Sequence, residues 1–261
     1  MMNKKDLVAI FDQTRTLSNT QYYKDTDHLK RNTYVFPDAM TLYTSKGMMF
    51  TPKIEFVHGG TVNTAMKEKK NGSMVAMLNF ADAHIPGGMV LNGAPTQEEN
   101  ICRCSNLYES LTLDKCFKEY YGVNNNQIHR ETNAMIYSYD VTVFRDDMTY
   151  DLLDEPEYID VITIPAPVGQ YKGIETVLEY RIACMLAAAQ YFDIETLVLG
   201  AWGCGAFGQD LDTVARCFAR MIKRYPIVPK IVFAIRSTFN DKTKTEFETF
   251  KQSFEAEYLD N

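Results

Sequence analysis

Glu98 and Glu99 stand side by side after Gln97, and they close a stretch that opens with Pro86-Gly87-Gly88-Met89. Glycines let backbone N–H groups come close to an anion such as a phosphate, because no Cβ stands in the way. An anion cradle with carboxylates beside it suits chemistry on a nucleotide sugar. The same letters allow a second reading. Thr96-x-x-Glu99 is a capping box, in which both side chains satisfy free N–H groups at a helix start. Spacing alone admits both.

Such groups need a strand before them and a helix after. Residues 73–80, with Val75, Met77 and Leu78, read as a buried strand that opens into a loop holding Gly87, Gly88 and Gly93 between Pro86 and Pro95. The polar stretch after this loop reads as a helix start. A second unit of this kind follows later. The apolar run 196–199 leads through Gly200 into Gly203-Cys204-Gly205-Ala206-Phe207-Gly208, and Asp210 or Asp212 starts a helix with Val214, Ala215, Phe218, Met221 and Ile222 on its apolar side. The loop amides, aided by the dipole of that helix, suit a diphosphate. The Gly-x-Gly-x-x-Gly pattern lacks the acidic residue of a dinucleotide fold, and a plain tight turn reads the same way.

The remaining segments fit around these two. Residues 54–57 and 231–235 read as strands, 134–144 as a partly alternating strand, and 159–164 as a continuous apolar strand stopped by Pro165-Ala166-Pro167. Thr61 is expected to cap a helix through Lys70, with a turn at Asn71-Gly72. Residues 98–121 read as one helix or two, 174–189 as a helix with one apolar face, and 244–258 as the last helix. Strands alternating with helices indicate a three-layer α/β fold whose ligands collect at the carboxyl ends of the strands. Residues 7–23 have a weak helical pattern. With Tyr34-Val35-Phe36-Pro37 they read as an accessory N-terminal extension over 1–50 of a single domain spanning 1–261, since no repeat or linker interrupts the chain.

Composition removes several classes of function. The chain has 261 residues, 46% of them hydrophobic, enough for one sizeable core. Its net charge of −7, from 27 basic and 34 acidic residues, disfavours non-specific binding to nucleic acid or to an anionic membrane. A nucleotide ligand must therefore be held locally, by backbone amides. Nothing near 18 consecutive apolar residues is present, and no apolar signal segment follows Met1-Met2-Asn3-Lys4-Lys5-Asp6. A soluble, cytoplasmic, monomeric protein is expected. Cys102, Cys104, Cys116, Cys184, Cys204 and Cys217 show no zinc-type spacing and read as buried thiols, so neither a metal site nor a cofactor is expected.

Gly87-Gly88-Met89, a seven-residue spacer and Gln97-Glu98-Glu99 resemble the Gly-Gly-Gly…Gln-Glu-Glu signature of poly(ADP-ribose) glycohydrolases. The continuation Glu99-Asn100-Ile101-Cys102-Arg103-Cys104-Ser105-Asn106-Leu107-Tyr108 resembles the bacterial-type branch, as do 137–145, 161–167 and 197–208, so the resemblance covers about residues 55 to 255. Met89 departs from it by replacing the third glycine, and a side chain there is expected to narrow the loop or alter its backbone angles.

This resemblance implies a macrodomain-like fold with a mixed, largely parallel central sheet flanked by helices, and ADP-ribose or poly(ADP-ribose) as ligand, with ADP-ribosylated protein as a further partner. By position it implies Glu99 as the catalytic acid and Glu98 as its substrate-positioning neighbour. It also implies Gly87, Gly88, Met89 and Gln97 as the catalytic loop and its flank, and Gly203, Cys204, Gly205 and Ala206 as the diphosphate loop. Phe207 is implied as the aromatic against the scissile ribose, and Asp82 falls where some relatives place a ribose-binding Asn. Glycoside hydrolysis through an oxocarbenium-like state would then use Glu99 first as acid and next as base toward water, with one essential carboxylate in place of the usual two. The alternatives are an ADP-ribose reader without turnover and a hydrolase of mono-ADP-ribosylated substrates.

Overall fold

The computed structural model describes residues 2–45, 48–125, 132–236 and 241–260, without the side chains of 241–245. Its seven strands are β1 (Thr33–Phe36), β2 (Lys53–His58), β3 (Val75–Phe80), β4 (Met135–Arg145), β5 (Leu152–Ile164), β6 (Thr196–Leu199) and β7 (Lys230–Ile235). They form one sheet in the order β1-β4-β5-β3-β6-β7-β2. From β5 to β2 all neighbours are parallel, while β4 pairs antiparallel with β5 and with β1. This is the expected mixed, largely parallel sheet.

The solidly apolar strands follow from burial on both faces. In β3, Ala76 and Leu78 enter one core cluster while Val75 and Met77 enter the other. Leu197 and Leu199 against Val198 in β6, and Ile231 and Phe233 against Val232 in β7, divide in the same way. The helices are α1 (Lys4–Asn19), α2 (Tyr23–Arg31), α3 (Thr61–Lys70), α4 (Gln97–Cys104), α5 (Leu107–Leu111), α6 (Asp114–Cys116), α7 (Gly122–Asn125), α8 (Ile174–Tyr191), α9 (Leu211–Arg224) and α10 (Asp241–Leu259), with a π-helical turn at Phe117–Tyr121. The expected helix over 98–121 is thus several short pieces.

One of two expected helix starts differs from expectation. Thr61 is the first residue of α3, and Gly60 holds the cap position. Asp147, from the β4–β5 connection, does the capping: its Oδ2 accepts from the Val62 and Asn63 amides at 3.1 and 3.3 Å. A Cβ on Gly60 would lie 2.0 Å from that oxygen, so the cap excludes any side chain at position 60. At α9 the expectation holds, with Asp210 accepting from the Thr213 amide at 2.9 Å.

The N-terminal segment is built into the structure. β1 is an edge strand of the sheet, and α1 lies under the loop after β3. A Cβ on Gly93, whose φ is +70°, would lie 2.3 Å from the Lys4 carbonyl. Buried Arg103 donates to the carbonyls of Leu7 (3.2 Å) and Ala94, while Thr14 Oγ1 donates to the Arg103 carbonyl (2.6 Å) and accepts from Arg145 Nε (3.0 Å). Phe11 meets Tyr108 edge to face at 5.0 Å. All six cysteines are free; five are buried, and Cys204 is partly exposed. Among the described residues no helix is long and apolar enough to cross a membrane.

Candidate active site

The loop 81–96 connects β3 to α4, and both glutamates sit in the first turn of that helix. Neither faces open solvent: Glu98 is 3% and Glu99 5% exposed. Each carboxylate holds a different part of the loop. Glu98 Oε2 accepts from the Asp82 amide at 2.7 Å, and its Oε1 accepts from Asn79 Nδ2 at 3.1 Å. Glu99 Oε1 accepts from the Met89 amide at 2.9 Å, and its Oε2 takes the Thr96 hydroxyl proton.

These bonds decide between the two readings of Thr96-x-x-Glu99. Thr96 occupies the cap position, but its side chain makes no capping bond to the helix amides. Its hydroxyl goes to Glu99, whose other oxygen goes to the loop. The capping box is not formed, and the Glu99 carboxylate is committed to the glycine-rich loop.

That loop needs two glycines. Gly87 and Gly88 have φ of +66° and +57°, the left-handed region that L side chains rarely adopt. A Cβ on Gly88 would lie 2.7 Å from Glu99 Oε1, and one on Gly87 would lie 2.8 Å from the Tyr108 ring. Met89 has φ −99° and ψ 32°, open to any residue, and its side chain is half exposed. Methionine is accommodated at position 89 without positive φ. What position 89 supplies is its amide.

Gln97 ties the start of α4 to the end of β3. Its Oε1 accepts from the Phe80 amide (2.9 Å), and its Nε2 donates to the Leu78 carbonyl (2.7 Å) and Thr61 Oγ1 (3.1 Å). Asp82 shapes the loop entry, with Oδ1 accepting from the His84 and Ile85 amides at 2.7 and 3.0 Å.

Beside this lies a cleft of about 330 Å³ over the carboxyl ends of β2, β3, β6 and β7. Gln97, Asn100 and Ile101 of α4 line it, opposite Cys204 and Gly205 of the second glycine-rich loop. Of the residues expected at the site, Gln97, Cys204 and Gly205 therefore meet in the cleft. Glu98 and Glu99 are not in its lining and lie next to Gly88 and Met89. Gly203 is a packing residue, with φ +79° and a Cβ position 2.7 Å from the Ala166 methyl. Phe207 packs partly on the core, and its carbonyl accepts from the Gly169 amide at 2.9 Å. Gly205 differs from both: nothing lies within 4 Å of its Cβ position. Among the described residues the amides of Gly205, Ala206 and Phe207 have no hydrogen-bond partner. Three free amides beside a cleft make an anion cradle.

Three residues at the site were not singled out from the sequence. Fully buried Asn79 orients Glu98 and also donates to Thr163 Oγ1 at 3.3 Å, leaving its own Oδ1 without a partner. A signal existed, because Asn79 is the polar break in the apolar run of β3. Asp147 links α3, α4 and β7: besides capping α3, its carbonyl accepts from Asn100 Nδ2 (3.4 Å) and Arg236 Nη2 (2.6 Å). Burial pushes its carboxyl up, while Arg236 and the Asn63 and Val62 amides pull it back. Arg236 follows β7 directly and is, among the described residues, the one cation lining the cleft.

Burial raises the Glu98 carboxyl well above the usual glutamate range, and the Asp82 amide and Asn79 only partly offset this. A carboxyl whose folded pKa exceeds its unfolded value stabilises the fold below the unfolded pKa, and that contribution is lost as pH rises through the folded one. Glu98→Gln should therefore flatten the stability-versus-pH curve from the ordinary glutamate value upward. Denaturant melts of parent and variant across that range check this, and parallel curves would contradict it.

The comparisons identify the family and the fold. Residues 2–146 match the family model described as microbial-type PARG, catalytic domain. The crystal structure of poly(ADP-ribose) glycohydrolase from Thermomonospora curvata superposes with a TM-score of 0.84 at 30% identity, covering 96% of this chain and 100% of that one. The same protein bound to the inhibitor ADP-HPD gives a TM-score of 0.83 at 30% identity, with the same coverage. The Deinococcus radiodurans poly(ADP-ribose) glycohydrolase in complex with ADP-ribose gives 0.80 at 30% identity, covering 90% of this chain and 98% of that one. No curated protein matches the chain. With its macrodomain-like sheet, paired glutamates and two glycine-rich loops, the chain belongs to the microbial-type poly(ADP-ribose) glycohydrolase family.

Proposed function

We propose that the protein hydrolyses the ribose–ribose O-glycosidic bond of poly(ADP-ribose) and releases ADP-ribose, acting as one domain that includes its N-terminal segment. The observation that carries this reading is the Glu99 carboxylate, buried and fixed by the Met89 amide and the Thr96 hydroxyl against Gly88. As the anomeric C–O bond breaks, Glu99 gives its proton to the departing ribose oxygen. Water then attacks the anomeric carbon, and the Glu99 carboxylate takes the proton that water loses. Glu98 acts through position: it holds the Asp82 end of the loop while Glu99 holds the Met89 end. The free amides of Gly205, Ala206 and Phe207 take the diphosphate, whose negative charge offsets the positive charge that develops on the ribose. Gly87 and Gly88 let the loop close on the acid, and Gln97 and Cys204 wall the cleft.

The alternative is a reader without turnover, for which a side chain in place of the third glycine would argue; the ordinary backbone conformation of Met89 supports the hydrolase. Two measurements test the proposal together. ADP-ribose at millimolar concentration should raise Tm, because a ligand that binds only the folded state stabilises it, and AMP should raise it less. Incubation with poly(ADP-ribose) should release ADP-ribose. An unchanged Tm would overturn the pocket assignment, and binding without release would leave a reader.

A further inference from the structure

A second recess, of about 440 Å³, opens beside the cleft and shares Gly59, Gly60 and Arg236 with it. Its other walls are Val57 and His58 at the end of β2, Asn63, Thr64 and Lys67 on one face of α3, and Met148. In a chain of net charge −7, this recess has lysine, arginine and histidine in its lining and, among the described residues, no carboxylate. The cations are held differently. Asp147 anchors Arg236 through Nη2, which leaves Nε and Nη1 without a partner among the described residues. The His58 ring lies on the Phe247 ring at 3.5 Å, and Lys67 is exposed. Two carboxylates touch residues of the lining, and both are already used: Asp147 by Arg236 and the α3 amides, and Asp146 by Asn63 Nδ2 at 2.8 Å and the Met148 and Thr149 amides.

We propose that this recess is an anion subsite that takes a phosphate of the polymer unit next to the one held in the cleft. The assignment rests on the function proposed above and extends it. Every unit of poly(ADP-ribose) carries a diphosphate. A substrate longer than one unit must place its next diphosphate outside the cleft, and Arg236 lies on the wall between the two spaces. Lysine and arginine, with the Thr64 hydroxyl beside them, are donors that phosphate oxygens prefer, while Asn63 is held by Asp146 and Asp147. The recess thereby distinguishes polymer from free ADP-ribose, which ends within the cleft.

The test measures binding of ADP-ribose and of its two-unit oligomer in the Glu99→Gln background, which slows cleavage, with and without Lys67→Glu. Lys67 is exposed on α3 and does not line the cleft, so an unchanged Tm should accompany the substitution. The oligomer should bind tighter than ADP-ribose, and Lys67→Glu should weaken the oligomer by roughly tenfold, with a smaller loss in Lys67→Gln and no change for ADP-ribose. The oligomer's advantage should also shrink as salt is raised. Equal oligomer affinity with and without Lys67→Glu overturns the subsite while leaving the cleft assignment standing. Failure of ADP-ribose itself to bind overturns the cleft assignment and the subsite with it. Inorganic pyrophosphate separates the remaining source. If its binding depends on Lys67 while oligomer binding does not, the recess takes a free phosphate compound, and the polymer assignment is overturned.

Discussion

Glu99→Gln should lower turnover on poly(ADP-ribose) by on the order of 100-fold or more, the scale expected when a positioned general acid is lost. Glutamine keeps the size of the side chain, and its carbonyl oxygen can accept from the Met89 amide as Glu99 Oε1 does. The new NH₂ faces Thr96, whose hydroxyl can rotate from donor to acceptor. Loop and helix start are thus retained, and ADP-ribose affinity and Tm should stay near the parent values. The variant separates chemistry from architecture because no capping box is lost with the carboxylate. Release of ADP-ribose, calorimetry and a thermal melt on the same preparation read the three quantities. Parent-like turnover would remove Glu99 from the reaction and leave it as an anchor of the loop.

Gly205→Val should show the reverse pattern for binding and stability. Position 205 has an ordinary φ and open space around its Cβ site, so the fold accepts the branch and Tm should hardly move. The added methyls enter the cleft beside the free amides. They should weaken ADP-ribose binding roughly tenfold or more, a change of about 1.4 kcal/mol per decade. Gly203→Val, two residues earlier, is the control: at φ +79° and 2.7 Å from Ala166, it should be felt first in Tm. Unchanged ADP-ribose affinity in Gly205→Val would mean that the loop 203–208 is a turn and nothing more.

What was legible in the sequence follows from where each interaction sits. β3, β6, β7 and the second half of β5 are buried on both faces, so their letters are predominantly apolar and they stand out. β1 is four residues long at a sheet edge, and the first half of β5 is polar with Pro156 inside it, so neither carries a pattern. The expected site residues came from two local motifs, and the structure places both at the carboxyl end of the sheet. Local reasoning failed where a distant group intervened. Thr61 looked like a cap because Asp147, which caps α3 from 85 residues away, is invisible at short range. Thr96 and Glu99 match a capping box letter by letter, yet the Met89 amide draws one oxygen of Glu99 away. Met89 itself looked disruptive because a motif does not reveal which of its glycines carry positive φ; here those are Gly87 and Gly88.

The seating of α1 has a consequence for the order in which the molecule can be completed during synthesis. Its apolar face, with Leu7 and Phe11, is covered by partners that include Arg103 and Tyr108, and Thr14 waits for Arg145, 131 residues further along. At about 5–20 residues per second, that last partner leaves the ribosome roughly 7 to 26 seconds after Thr14. Throughout that interval the early helix has no finished surface to dock on, and the loop it supports has no floor beneath Gly93. The support of the loop 81–96 is therefore complete only once β4 has been translated, although every residue of Gly87-Gly88-Met89 and of Gln97-Glu98-Glu99 has been made by then.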